Sequence, residues 1–183
     1  MANIPSSTTA VELLSFVADG NRCELINGEV IMMSPAEGRH GKVAMKLGML
    51  LANHVEERQL GVTFAAETGF LTATNPDSVR APDVAFLSSE KWKSVKEETG
   101  YLPVAPDLVA EVVSPNDSST AVEAKSQMWL EAGVHLVMVV DPEVKTVRVY
   151  RSTSQIEVLH LGNTFDAGDV VAGWKLKIDK VFS

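Results

Sequence analysis

The feature that most constrains the fold is a buried strand followed by a helix and a second apolar strand. Leu108–Val113 is an almost uninterrupted apolar run between Pro106 and Ser114-Pro115, which is typical of a strand buried on both faces. A helix over about Thr120–Ala132 and the apolar strand Leu136–Val140 follow it. This order predicts a right-handed crossover between two parallel strands.

The periodicity elsewhere predicts helices beside this sheet and hairpins around it. Further helices are predicted from the capping pattern of Ser7-Thr8-Thr9 and Glu12 up to Gly20, over about Arg39 to Glu57 with Gly61 capping the far end, and briefly within Glu90–Glu98. Further strands are predicted at Arg22–Ile26, Glu29–Met33, Val62–Ala66, Gly69–Ala73, Val79–Leu87, Thr146–Arg151, Gln155–Leu161 and Val170–Ile178. The expected class is α/β (α+β), with a mixed central sheet flanked by helices and additional hairpins.

Length and charge narrow the functional classes. We expect the 183 residues to form a single domain, 1–183. The formal net charge of −8 opposes diffuse attraction to nucleic acid or to an anionic membrane, so any polyanion must bind locally. The uncharged stretch Ile4–Val11 is too short to span a bilayer. The single cysteine, Cys23, excludes an internal disulfide and is compatible with a reducing compartment. Together, these features lead us to expect a soluble, cytoplasmic protein.

Three charged residues lie where charge is costly. Glu111 interrupts the apolar run Leu108–Val113, where an unpaired carboxylate would lose several kcal/mol of solvation. Asp83 lies within Val79–Leu87, and strand alternation directs it toward apolar neighbours. Lys125 lies on the stripe of its helix that contains Ala121, Ala124, Met128, Trp129 and Ala132. Each of the three charges therefore needs a partner.

These three charges have a chemical interpretation if their segments are neighbours. Two carboxylates supply hard oxygen ligands for Mg²⁺ or Mn²⁺, and a lysine can orient or deprotonate a water. Such a set suits phosphodiester hydrolysis. A structural ion-pair network is an alternative, because perturbed charges are not always functional. Acid/base hydrolysis of a sugar by the carboxylate pair is another, although it leaves Lys125 without a role.

Ordered sequence blocks resemble the Uma-two family of restriction-endonuclease-like proteins. These blocks are Cys23-Glu24-Leu25-Ile26-Asn27-Gly28-Glu29, Met33-Ser34-Pro35 with His40, Ala81-Pro82-Asp83-Val84, Pro106–Pro115, Lys125, Ala132-Gly133-Val134 and Val140-Asp141-Pro142. The resemblance extends from about Glu24 to Tyr150, and it implies the PD-(D/E)xK nuclease fold with a divalent-metal site on its sheet.

The resemblance also implies roles for individual residues. Asp83 corresponds to the motif aspartate and Glu111 to the second acidic metal ligand, whereas the usual lysine position is Val113. The lysine of this family lies on the following helix, here at Lys125, and Glu24 resembles an additional acidic residue of the site. A simple cross-strand salt bridge is an equal alternative for Glu24. The sequence departs from the family at three positions: it has Ala121 where the family often has an acidic residue, Trp129 where it often has a tyrosine, and Met138 where an aromatic residue is frequent.

Weaker signals surround this set. His40 at the start of a helix could contact a phosphate or act as an acid, although a lone histidine there is more often an ordinary surface residue. A basic strip of Arg39, Lys42 and Lys46, with Arg22 and Arg80 nearby, could position a nucleic-acid backbone or could simply be a solvated helix face.

The sequence predicts a metal-dependent endonuclease in which Asp83 and Glu111 hold Mg²⁺ or Mn²⁺, with Glu24 and Lys125 completing the catalytic set. The alternative is a catalytically inactive nuclease-fold protein that acts as an oligomeric binding or regulatory module. The expected partners are nucleic acid, DNA in preference to RNA, and a second copy of the chain, but no membrane. An apolar dimer surface is predicted at Val147, Val149, Ile156, Val158 and Leu161.

Overall fold

The computed structural model describes residues 7–18, 20 and 22–183. Its helices are α1 (Ala10–Ala18), α2 (Gly38–Glu57), α3 (Ser89–Ser94) and α4 (Ser119–Glu131). Its strands are β1 (Cys23–Ile26), β2 (Glu29–Met32), β3 (Gly61–Ala65), β4 (Phe70–Ala73), β5 (Ser78–Arg80), β6 (Val84–Ser88), β7 (Leu108–Val112), β8 (Leu136–Asp141), β9 (Thr146–Ser152), β10 (Gln155–Leu159), β11 (Thr164–Asp166) and β12 (Lys175–Lys177). A short 3-10 turn, Ile178–Lys180, follows β12.

The centre of the fold is a six-stranded sheet in the order β10-β9-β8-β7-β6-β3. Strands β7 and β8 are parallel, with Leu108 opposite Leu136 and Val112 opposite Val140, and α4 connects them. The other neighbouring strands are antiparallel. The mixed central sheet and the parallel pair predicted from the sequence are therefore confirmed.

Two apolar layers cover this sheet. On one face, α2 and the segment containing β11 and β12 pack on the sheet; their buried side chains include Val43, Leu47, Leu51, Val55, Phe165, Trp174 and Leu176. On the other face, Trp129 of α4 packs with Val109, Val137 and Tyr150. Because side chains alternate along a strand, Glu111 of β7 points to the same face as Val109, toward α4.

A smaller sheet in the order β2-β1-β5-β4 carries α1. Thr9 and Glu12 form the predicted capping box, since each backbone N–H donates to the other side chain. Asn27 and Gly28 both have positive φ angles, 50° and 79°, as a two-residue hairpin turn requires. The predicted first helix and first hairpin are confirmed.

Three predicted boundaries are wrong. The predicted strand Val79–Leu87 is two strands in different sheets, because the chain leaves β5 at Ala81-Pro82 before it enters β6. The end of α2 is followed by Gln59 at a φ of 54°, and the predicted cap Gly61 begins β3 instead. The first four residues of the predicted strand Val170–Ile178 form a turn, and only β12 within it pairs with a strand.

The predicted inward stripe of α4 is also wrong in part. Ala121 and Ala124 are exposed, whereas Ser126 and Trp129 are the buried residues of this helix. Ser126 replaces an apolar residue at the interface because its hydroxyl donates to the carbonyl oxygen of Val122. Lys125, next to Ser126, still lies on the side that meets the sheet.

Asp107, just before β7, is a buried carboxylate that joins three segments. It accepts hydrogen bonds from the Ser88 N–H at 2.7 Å and from the Lys91 ammonium at 2.9 Å, and His135 Nδ1 lies 3.4 Å away. Burial opposes ionisation, but these donors hold the pKa of Asp107 below its ordinary value. The group is therefore part of the framework at the end of the sheet where β7 begins.

We expect Asp107→Asn to lower the free energy of unfolding at neutral pH by about 2 kcal/mol, because Lys91 loses its charged partner. Asp169→Asn, at an exposed position, is the control. The pKa of Asp107 is lower in the folded protein than in the unfolded chain. The ionised carboxylate therefore stabilises the fold above the ordinary carboxyl pKa, and this stabilisation is lost as the pH falls through the pKa of the folded state. Urea unfolding across this range should therefore show the two variants converging in acid; equal stabilities at pH 7 would contradict the assignment.

In the part of the chain that the structure describes, no helix combines the length and apolar character needed to cross a bilayer.

Candidate functional site

The candidate site is built around Glu111 at the carboxyl end of β7. Its Oε2 accepts a hydrogen bond from Lys125 Nζ at 2.8 Å, and its Oε1 accepts one from Trp129 Nε1 at 2.7 Å. Lys125 and Trp129 lie one turn apart on α4, so both reach the same carboxylate. The parallel crossover therefore compensates the charge that interrupts the buried strand.

Asp83 enters the same region from the segment that precedes β6. Its Oδ2 accepts a hydrogen bond from the backbone N–H of Val112 at 2.8 Å, which fixes Asp83 beside Glu111. His40 Nε2, from the first turn of α2, lies 3.2 Å from the same oxygen. The Asp83 and His40 side chains are 16% and 12% exposed, so solvent still reaches both groups.

Glu24 of β1 and Arg80 of β5 form a third pair. Glu24 Oε1 accepts a hydrogen bond from the Ala81 N–H at 3.0 Å, and its Oε2 lies 3.1 Å from Arg80 Nε. The Arg80 Nε–H does not point at Glu24 Oε2 with the geometry of a hydrogen bond. The buried Nε has no hydrogen-bond partner among the described residues. Arg80 is therefore held mainly by the charge of Glu24.

The three pairs are electrostatically coupled. Burial raises the pKa of Glu111 above its ordinary value; the Lys125 ammonium opposes this, and the charge of Asp83 adds to it. Burial and the positive charge of Arg80 both lower the pKa of Lys125. The negative charges of Glu111 and Glu24 outweigh them and raise this pKa above its usual value. Asp83, Glu111, Lys125 and Glu24 therefore belong to one cluster of interacting charges.

His40 belongs to this cluster as well. The hydrogen bond to Asp83 raises the pKa of His40, burial opposes the increase, and the Val112 carbonyl and the charge of Glu111 reinforce it. The imidazole is consequently more basic than a free histidine. The two carboxylates of this region therefore favour the protonated form of His40.

The donor chemistry of Asp83 and Glu111 fits a hard divalent cation. Both are carboxylates, and Mg²⁺ in proteins often takes only one or two carboxylates with water completing its shell. Among the residues that the structure describes, no group of three or more His, Cys, Asp or Glu side chains is arranged as a metal site. Lys125 and Trp129 occupy both oxygens of Glu111, so a cation would have to share or displace one of these donors.

The structure brings the four proposed catalytic residues together, and it adds two that sequence reasoning assigned differently. His40 contacts Asp83 rather than lying free at a helix start, and Trp129 donates to Glu111 instead of serving only as core. Because a buried indole N–H needs a hydrogen-bond acceptor, the presence of Trp129 on the inner side of the helix could have predicted a polar partner for it. In the predicted basic strip, Arg22 pairs with Glu67 instead.

A cleft of about 140 Å³ adjoins the cluster at the carboxyl ends of β7 and β8. Its walls include Arg39, His40, Ser114, Pro115, Asp141 and Pro142. Two of these residues are held in turns by hydrogen bonds. The Asp117 carboxylate accepts a hydrogen bond from the Ser114 N–H, and the Asp141 carboxylate accepts one from the Glu143 N–H. His40 lines this cleft and also contacts Asp83, so it connects the cleft with the cluster.

Comparison with known proteins places the chain among nuclease-like proteins. The sequence profile of the Uma2 family, described as "Putative restriction endonuclease", matches residues 10–179. No curated protein matches significantly. A crystal structure of "a putative nuclease belonging to DUF820" from Anabaena variabilis ATCC 29413 is similar in fold, with a TM-score of 0.78 and 23% identity over 95% of this chain and 97% of that one. The chain therefore belongs to the Uma2 family, as its sequence blocks predicted.

Proposed function

We propose that this protein is a metal-dependent endonuclease that hydrolyses phosphodiester bonds of nucleic acid, with DNA preferred to RNA. The observation that carries the proposal is the convergence of Asp83, Glu111 and Lys125 from three separate segments at one end of the sheet. Family membership and the nuclease-like fold support it. Composition alone, with its acid excess, does not favour a nucleic-acid enzyme.

In this proposal Asp83 and Glu111 are the residues that would hold Mg²⁺ or Mn²⁺, which when bound supplies Lewis-acid polarisation of a phosphate oxygen and a water. Lys125 places its ammonium beside Glu111, where it can orient the attacking water and stabilise negative charge on the phosphate. Its side chain is 26% exposed, so part of it is accessible from solvent.

Glu24 and Arg80 have supporting roles in the same proposal. Glu24 fixes the turn before Asp83 through the Ala81 N–H and adds negative charge near Lys125. Arg80 Nε lies 3.1 Å from Glu24 Oε2, so the guanidinium balances the charge of that carboxylate. His40 orients Asp83 from the opposite side.

The direct test is incubation of the purified protein with supercoiled DNA, single-stranded DNA and RNA, with Mg²⁺, Mn²⁺ or EDTA. We expect strand cleavage with either metal and none with EDTA, because the carboxylates alone do not activate water sufficiently. Cleavage that persists in EDTA, or no cleavage of any substrate with either metal, would contradict the proposal.

The alternative is a catalytically inactive nuclease-fold protein that acts as an oligomeric binding or regulatory module. Two observations favour it. Both oxygens of Glu111 are already occupied by protein donors, as in a structural ion pair. Ala121, in place of the acidic residue frequent in the family, also removes a carboxylate that could orient Lys125. Nucleic-acid binding without cleavage would support this alternative.

We also propose that the protein forms a homodimer or a higher homo-oligomer in the cytoplasm. The predicted apolar surface needs correction, because Val147 and Val149 of β9 are buried in the core. Ile156 and Val158 of the edge strand β10, together with Leu161, remain exposed. An exposed apolar edge strand is a common pairing site.

The dimer proposal predicts that Ile156→Lys combined with Val158→Lys converts the oligomer to a monomer, because charge opposes edge-to-edge pairing. Light scattering coupled to size exclusion measures the mass. Val144→Lys, at another exposed apolar position, is the control and should leave the mass unchanged. A monomeric wild-type protein would contradict the proposal.

A further inference from the structure

A row of side chains follows the outer face of α2 away from the candidate site. Arg39, Lys42 and Lys46 are spaced by three and four residues, so they lie along one side of the helix. The same spacing continues through Leu50 and Asn53. Arg39 lines the cleft beside His40, so the row begins at the site and extends toward the far end of the helix.

A second cleft, of about 380 Å³, lies where this row meets the C-terminal segment. Its walls include Asn53 and His54 of α2, Trp174, and the lysines Lys175, Lys177 and Lys180. His54 Nε2 lies 3.0 Å from the Ala172 carbonyl oxygen, which holds this segment against the helix. The lysines therefore lie on the same side of α2 as the row that begins at Arg39.

Most of these cations lack an acidic partner. Among the described residues, Lys175 is the one cation of the row and the second cleft that forms an ion pair, and its partner is Asp166 at 3.3 Å. The walls of the first cleft also contain four acidic residues, Glu37, Asp117, Asp141 and Glu143, and Glu57 lines the second. The carboxylates of Asp117 and Asp141 accept hydrogen bonds from backbone N–H groups of their own turns, and that of Asp179 accepts one from the Gly162 N–H. Beyond the first cleft, the unpaired Lys42, Lys46, Lys177 and Lys180 outnumber the one acidic residue of the second cleft, Glu57, and form a local positive region in a chain with excess acid.

We propose that the α2 basic surface, formed by Arg39, Lys42, Lys46, Lys177 and Lys180, binds the phosphodiester backbone that leads into the candidate site. This inference rests on the proposed function and specifies where its substrate lies. From Arg39 to Asn53 the helix rises about 21 Å, which spans about six nucleotides of one B-DNA strand. The contacts are with phosphates, so this surface positions the substrate without reading its sequence.

The test replaces three lysines that lie outside the catalytic cluster, in the variant Lys42→Gln, Lys177→Gln, Lys180→Gln. The matched control removes the same charge from exposed lysines elsewhere, in Lys93→Gln, Lys96→Gln, Lys145→Gln. Fluorescence anisotropy with labelled single-stranded DNA, duplex DNA and RNA, in EDTA and over a range of NaCl concentrations, measures binding without cleavage. Circular dichroism verifies that both variants fold.

We expect the α2 variant to bind duplex DNA about tenfold or more weakly at low salt, and its salt-dependence slope to decrease by about three, one for each lost phosphate contact. The control should retain the wild-type slope. Equal binding by the two variants would overturn the inference even if the wild-type protein cleaves DNA, and so would a wild-type protein that binds no nucleic acid. Selective weakening without any metal-dependent cleavage would support the binding surface and contradict the nuclease proposal.

Discussion

Asp83→Asn is expected to reduce metal-dependent phosphodiester cleavage by about 10²–10³-fold, because the amide keeps the size of the carboxylate but not the charge that attracts a divalent ion. The fold should remain, since an amide oxygen can still accept the hydrogen bond from the Val112 N–H. Initial rates of nicking of supercoiled DNA, measured with Mg²⁺ and with Mn²⁺, give the ratio.

Asp169→Asn serves as the control for this loss, because it makes the same chemical change at an exposed position. Its cleavage rate should equal that of the wild-type protein, and both variants should show the wild-type circular dichroism spectrum. Wild-type cleavage by Asp83→Asn would contradict the assigned role and direct attention to another site. A loss shared by both variants would also contradict it, because the effect would not depend on position 83.

The sequence predicted the parts of this fold that depend on local patterns. The apolar run of β7, the helix α4 and the strand β8 follow from periodicity and length, and their parallel pairing is the expected outcome of a crossover. The hairpin between β1 and β2 follows from its Asn-Gly turn. Charges within apolar segments then identified Asp83, Glu111 and Lys125 as residues in need of partners.

Tertiary pairing explains what the sequence could not predict. Periodicity cannot show that the chain changes sheets at Pro82, because only three residues separate β5 from β6 and the two strands differ in their pairing partners. The partner of His40 comes from a distant segment, so no spacing rule connects it with Asp83. Similarly, Glu24 binds the turn before Asp83 rather than a cross-strand neighbour within its own hairpin.

Glu111→Gln and Lys125→Met, each made alone, should lower the free energy of unfolding by about 3 kcal/mol. Each variant leaves the other partially buried group without its counter-charge. Urea unfolding at neutral pH measures both values, and wild-type stability of either variant would contradict a tight ion pair.

The double variant Glu111→Gln, Lys125→Met distinguishes a structural pair from a functional one. Removing both charges together eliminates the cost of burying an unpaired charge. The oxygen of the introduced amide can still accept a hydrogen bond from the Trp129 N–H. The double variant should therefore recover most of the stability that the single variants lose. If the pair serves catalysis, this variant is stable but fails to cleave DNA with any metal, as expected when stability is sacrificed for function. If the double variant remains as unstable as the single ones, Glu111 and Lys125 contribute more to folding than their mutual charge, and the structural interpretation gains support.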